Sequence, residues 1–176
     1  MVKDVGEGDS GRIRVLVEGA LCVAMSVVLS YMRIFTMPQG GSITLEMTPL
    51  LFFSLRRGAK WGMATGAVSG FLQMLLSWNV YHPAQALLDY IVAFACVGAA
   101  GIRELHFVIG VTASCMLRFL CHVLSGAVFF ASYAPEGQSP WIYSLIYNGT
   151  HMIPSSAISF IATWLLWSRT LSVRGR

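Results

Sequence analysis

Long apolar stretches, broken by short polar or Gly/Pro-rich segments, set the pattern of this chain. The first covers about 13–35, from Ile13 to Phe35, and gives way to the segment TMPQGGSITLEMTP. A second, about 45–56, stops at Arg56-Arg57-Gly58 and is shorter than the usual span of about 17–25 residues. A third covers 60–78, and the polar break Trp78-Asn79-Val80-Tyr81-His82-Pro83 separates it from a fourth at about 84–102. A fifth runs over about 105–131, the break SYAPEGQSPW follows, and a sixth runs over about 142–168. Arg169, Arg174 and Arg176 close the chain, and the sequence contains no internal repeat. The pattern predicts an all-α membrane protein, a bundle of six transmembrane helices. Residues 1–11 are expected to form a disordered tail, 12–169 the helical domain and 170–176 a basic tail.

Composition narrows the class further. Hydrophobic residues make up 56% of the 176 and charged residues only 11%, with a mean hydropathy of +0.66. A soluble domain carries roughly 25% charged residues. A secreted, nucleic-acid-binding or disordered protein is therefore excluded. At about 20 residues per span, six spans take about 120 residues and leave no room for a soluble catalytic domain.

The net charge of +4 acquires meaning by position. With the N-terminus in the cytoplasm, the cytoplasmic segments hold Lys3, Arg12, Arg14, Arg56, Arg57, Lys60, Arg103, Arg169, Arg174 and Arg176. The opposite side holds Arg33 alone, and Arg118 lies within the fifth run. This asymmetry predicts both termini on the cytoplasmic side. It also requires the short second run to count as a crossing. The four cysteines, Cys22, Cys96, Cys115 and Cys121, sit in apolar runs without CxxC spacing and read as packing residues. Gly58, Gly62, Gly66 and Gly70 recur every four residues and predict close helix packing rather than a ligand site.

Ionisable residues inside the runs are the candidates for function, because each costs about 2.5–3.5 kcal/mol to insert. Asp89 lies one to two turns into the fourth run. Arg118 and His122 lie four residues apart on one face of the fifth, and Gly126 continues that face. An ion pair between Asp89 and Arg118 that merely holds the bundle together is the alternative to a ligand site. Glu18 is expected to reach the interface. Tyr143, Tyr147 and Asn148 open the sixth run, and an asparagine there needs a hydrogen-bond partner. His82 and His151 read as interfacial. A carboxylate, aromatic rings and amide or imidazole groups at the outer ends of three helices describe a pocket for a small flat cation.

Enzyme motifs such as HExxH, GxSxG or a phosphate-binding glycine loop are missing from the sequence. A membrane enzyme using Asp89 and His122 as acid and base would need a second carboxylate or a metal cluster nearby. A self-sufficient ion-coupled carrier would be favoured by inverted repeats, which are missing. Neither a catalytic residue, a metal nor a cofactor is expected.

Several stretches together carry a resemblance. They are Pro38 to Leu45 leading into Ser54-Leu55-Arg56-Arg57-Gly58, then His82-Pro83-Ala84-Gln85-Ala86-Leu87-Leu88-Asp89-Tyr90, then His122 to Gly126, then Tyr143 to Gly149. In this order the chain resembles, over about residues 12–168, the thiamine-specific substrate-binding component of energy-coupling-factor transporters. The resemblance implies a multi-pass protein of the prokaryotic cell membrane. Such a protein binds extracellular thiamine with high affinity and works with a transmembrane coupling subunit and two cytoplasmic ATPases. A thiamine precursor or another vitamin is the alternative ligand, and nucleic acid is not an expected partner.

The implied binding positions are Asp89 and Tyr90, His122 and Gly126, and Tyr143 and Asn148. Phe130 stands where some members of the family have a stacking tryptophan, and the Gly40-Gly41 region replaces a first-loop tryptophan. The resemblance also makes Ala20 and Ala24 on the first helix the docking face for the coupling subunit; alanines four apart leave a flat groove.

Overall fold

The computed structural model describes residues 9–38, 40–77, 80–102 and 104–174. The expectations for residues 1–8, Gln39, Trp78, Asn79, Arg103, Gly175 and Arg176 lie outside the described residues, as do those for the side chain of Arg174. The chain is helical nearly throughout. Helix α1 spans Asp9–Tyr31, α2 Met47–Arg57, α3 Ala59–Ser77, α4 Pro83–Gly101, α5 Phe107–Phe129 and α6 Pro140–Arg174. Three of these, α1, α4 and α5, are long and apolar enough to cross a membrane. The fold is thus all-α and carries candidate membrane spans.

Element boundaries depart from the apolar runs where local chemistry intervenes. Residues 9–11, expected in the tail, form the first turn of α1, and α6 continues through 170–174. Helix α1 stops at Tyr31, four residues before its apolar run ends. Phe35–Thr36 and Ser42–Ile43 instead pair as a two-residue antiparallel hairpin, Phe35 opposite Ile43 and Thr36 opposite Ser42. The sequence reading lacked this hairpin. Its turn uses Gly40 and Gly41 at φ of 95° and 80°, a region that glycine enters without a Cβ penalty.

The short α2 forms the centre of the molecule. At 1.5 Å per residue its 11 residues reach only about 16 Å. Met47, Leu50 and Leu51 are almost wholly buried and pack with Phe94, Val97 and Ala100 of α4 and Val111 and Cys115 of α5. Arg56 and Arg57 fall in its last turn, where cations complement the helix dipole. Gly58 does not continue the stripe inside a helix. It turns the chain from α2 into α3 at φ 89° and donates its N–H to the Ser54 carbonyl at 2.7 Å.

The rest of the stripe presses α3 onto its neighbours. A Cβ added at Gly62 would meet Ser54 of α2 and the Gly98 carbonyl. One at Gly66 would meet the Phe94 carbonyl, and one at Gly70 the Tyr90 carbonyl. At Gly66 and Gly70 the nearest atoms are backbone, so the close approach there tolerates no substituent. Helix α1 shows α2 and α3 the face Val15, Gly19, Val23 and Ser26, and leaves Ile13, Leu16, Val17, Leu21, Met25 and Val28 exposed. Glu18 is not a lone interfacial group. It accepts from Arg57 Nη2 at 2.6 Å and lies 3.4 Å from Arg14 Nε. All four cysteines are free thiols.

Candidate ligand-binding cavity

Helix α4 is not a uniform α-helix. His82 caps it, with its Nδ1 accepting from the Ala84 N–H at 3.1 Å, and Pro83 occupies the first turn. After one turn the chain widens into a π-helical stretch, Leu87–Val92, before α-helix resumes at Ala93. Asp89 and Tyr90 lie in this stretch. Widened turns of this kind recur at functional sites because they re-aim side chains.

A cavity of about 450 Å³ opens between α4, α5 and α6. It brings together the residues singled out from the sequence. Asp89 and Tyr90 line it from α4, and His122 and Gly126 from α5. Phe130 lines it from just beyond α5, and Tyr143 and Asn148 from α6. Further aromatics on the walls are Tyr81, Phe94, Tyr133 and Tyr147. A second cavity of about 350 Å³, on the hairpin side, shares the wall of Gln73, Tyr90, Arg118, His122 and His151.

The Asp89 carboxylate is largely buried, with 14% of its side chain exposed. Its Oδ2 accepts from Gln85 Nε2 at 2.8 Å. Its Oδ1 lies 3.3 Å from His122 Nδ1, within ion-pair range, but is buried without a hydrogen-bond partner. His122 Nε2 is likewise buried without one. Buried polar atoms are normally paired. Two unpaired ones on adjacent cavity residues leave acceptor and donor capacity for a guest.

Arg118 is not the partner of Asp89. Its Nη2 donates to Glu46 Oε1 at 2.6 Å, and its guanidinium lies 4.1 Å from the Phe94 ring centroid. The ion-pair alternative for Asp89 is therefore corrected. Arg118 is compensated elsewhere, by a residue that sequence reasoning missed. Glu46 sits in the loop before α2, at the start of the second apolar run, where a carboxylate was the available signal. The second carboxylate that a catalytic site would have needed does lie on the adjoining cavity wall, bound in this pair.

The other positions divide by what holds them. Tyr90 shares a 2.7 Å hydrogen bond with Ser77 of α3, which fixes its ring between the two cavities. Asn148 donates to the Ser144 carbonyl at 2.9 Å and to the His122 carbonyl at 3.3 Å, so its amide ties α6 to α5. Gly126 lies where those helices cross; a Cβ there would strike Ser144. The aromatic rings contact one another. Phe130 meets Tyr81 edge-on at 5.2 Å, and Tyr143 stacks on Tyr147 at 6.1 Å.

His151 lies well inside α6. It lines both cavities, stands edge-on to Tyr147 at 5.5 Å, and faces Gly41 so closely that a Cβ there would enter its ring. Gln85 is the second residue that the sequence analysis left without a role. At 3% exposure it bridges Asp89 and, through its Oε1, the Tyr81 N–H at 3.2 Å. Its spacing of four from Asp89 was the available signal. Among the described residues, no group of three His, Cys, Asp or Glu side chains is placed to hold a metal ion.

Helices packed around a part-polar, aromatic-walled cavity, with a carboxylate oxygen lacking a hydrogen-bond partner and candidate membrane spans, fit a membrane protein of the transport class. The chain belongs to the thiamine transporter protein family (Thia_YuaJ), whose family model matches residues 16–174. It is 41% identical to the thiamine transporter ThiT of Bacillus subtilis, across 86% of this chain and 89% of that protein. It is 26% identical to ThiT of Lacticaseibacillus paracasei, across 86% of each. A solved structure of ThiT from Listeria monocytogenes superposes with a TM-score of 0.79, covering 92% of this chain and 97% of that one at 24% identity, which establishes the shared fold. The family is one of transporters, a non-enzymatic role.

Proposed function

We propose that this chain binds thiamine from outside the cell, in the cavity between α4, α5 and α6, and serves as the substrate-specific subunit of an ATP-driven energy-coupling-factor importer. The observation that carries the reading is the buried Asp89 carboxylate with one oxygen unpaired, set among aromatic rings. Thiamine offers what this wall lacks. Its thiazolium is a flat cation suited to Phe130, Tyr143 and Tyr147. Its aminopyrimidine presents an exocyclic amine to Asp89 and a ring-nitrogen acceptor to His122. A cavity of about 450 Å³ lies within the 300–1,000 Å³ range of small-molecule sites.

Six crossings with both termini in the cytoplasm, in the cell membrane, complete the proposal. Charge asymmetry supports them. Helix α2 is too short for a bilayer core of about 30 Å, so the hairpin that precedes it would fill the outer part of that crossing. Docking of a coupling subunit falls to Ala20 and Ala24, both exposed on α1 while Gly19 and Val23 face inward. Two cytoplasmic ATPases would supply the energy.

The test is calorimetric titration of the detergent-solubilised protein with thiamine. Submicromolar binding at one site is expected, and no binding would overturn the reading. For docking, Ala20→Trp or Ala24→Trp is expected to abolish copurification with the coupling subunit while leaving thiamine affinity within about twofold, because the site lies on other helices. Lost affinity with retained copurification would place the alanines in the binding fold instead.

A further inference from the structure

The Glu46–Arg118 pair is an expensive feature. Both side chains are largely buried, at 14% and 8% exposure, and they join the loop before α2 to the middle of α5. Buried pairs of this kind are often no more stabilising than apolar residues of the same size. Packing alone therefore gives little reason for it. Its position gives a better one. Arg118 lines both cavities, and His122, which faces Asp89, sits one helical turn away on the same face. A lone guanidinium there would be the natural counter-ion for Asp89 and would repel any cation entering the cavity.

We infer that Glu46 is a specificity-determining residue: by neutralising Arg118 it leaves Asp89 as the uncompensated charge of the cavity and so selects a monocationic ligand over a neutral one of the same shape. This rests on the thiamine reading above. The charge balance follows from the residues facing the site. Asp89 and Glu46 contribute two negative charges and Arg118 one positive. Arg33, the remaining cation on the walls, is exposed at the hairpin-side rim, where solvent screens it. The buried carboxylates of Asp89 and Glu46 and the buried guanidinium of Arg118 sum to minus one, matched by one thiazolium. Glu46 need not touch the ligand. It acts through Arg118, whose guanidinium donates to Glu46 Oε1 at 2.6 Å and lies 4.1 Å from the Phe94 ring centroid.

The experiment compares two ligands, thiamine and its neutral isostere with carbon in place of the thiazolium nitrogen. The quantity read is the ratio of their dissociation constants, by calorimetry at pH 8. In Glu46→Gln the freed guanidinium faces the cavity, and the preference for thiamine over the isostere is expected to fall roughly ten- to thirty-fold. In Arg118→Gln the carboxylate of Glu46 is left uncompensated, and the preference is expected to rise. The shifts are opposite, so either variant decides alone if the other fails to fold. The double variant Glu46→Gln/Arg118→Gln is expected to return the ratio to the wild-type value. Equal weakening of both ligands, with the ratio unchanged in the variants that fold, would make the pair a purely structural strut and overturn the inference. Failure of the wild-type protein to bind thiamine would overturn the functional reading instead.

Discussion

Asp89 shows how much one residue's surroundings decide. A carboxylate in the fourth apolar run announces itself, because lipid-facing or unpaired it would be costly. Its partner does not. Gln85 holds one oxygen, Arg118 holds neither, and the other oxygen, 3.3 Å from His122 Nδ1, keeps no hydrogen-bond partner. Asp89→Asn is therefore expected to fold and to be extracted normally while losing thiamine affinity by about 10- to 150-fold. A charge-assisted hydrogen bond is worth roughly 1.5–3 kcal/mol. Calorimetry on the variant checks this; affinity within a factor of two of wild type would remove Asp89 from the site. The rings obey a weaker rule. Phe130→Ala and Tyr143→Ala should each weaken binding roughly two- to thirty-fold, at about 0.5–2 kcal/mol per cation–π contact, and Phe130→Trp should hold or improve it. Unchanged affinity in both alanine variants would leave these rings as wall without contact.

At the scale of elements, the glycine stripe and the π-helical stretch belong to one design. Gly66 and Gly70 bring the α3 backbone against the carbonyls of Phe94 and Tyr90, which puts Gln73 and Ser77 of α3 at the edge of the cavities. Tyr90 then reaches Ser77 at 2.7 Å. Gly66→Val should separate α3 from α4, because the added carbon meets backbone that cannot rotate away. Overpacking of this kind costs typically 1–3 kcal/mol. The midpoint of unfolding in denaturing detergent is expected to fall, with thiamine protecting less than in the wild type. A midpoint equal to wild type would mean that the helices slide apart freely. Helical runs and the stripe are legible in the sequence, since composition and spacing alone produce them. The widening of α4 is not. A π turn depends on how α3 and α5 crowd α4, and local propensity carries no mark of it.

For the whole molecule, orientation is the property most worth testing. Glu136 is exposed in the loop before α6, and Lys60 is exposed at the start of α3. In a background lacking Cys22, Cys96, Cys115 and Cys121, Glu136→Cys should react with an impermeant thiol reagent added to intact cells. Lys60→Cys should react only after the membrane is opened. Lys60 serves better than Gly58, whose φ of 89° would strain a cysteine. The opposite labelling pattern would invert the topology.

The sequence by itself determined the class of protein, the order of the helices and the main residues of the cavity. Apolar length, a charge in the wrong medium and a period of four carry the class, the helices, Asp89, His122 and Asn148, while Tyr90 and Phe130 were marked only by the family resemblance. Tertiary structure alone decided the pairing of charges. Arg118 lies 29 positions from Asp89 and 72 from Glu46 in the chain, yet it binds Glu46. Electrostatic pairing depends on distance in space through a low-dielectric interior, and chain separation says nothing about that distance. The hairpin was hidden for the same reason. Phe35 and Thr36 look like the end of an apolar helix until Ser42 and Ile43 fold back beside them.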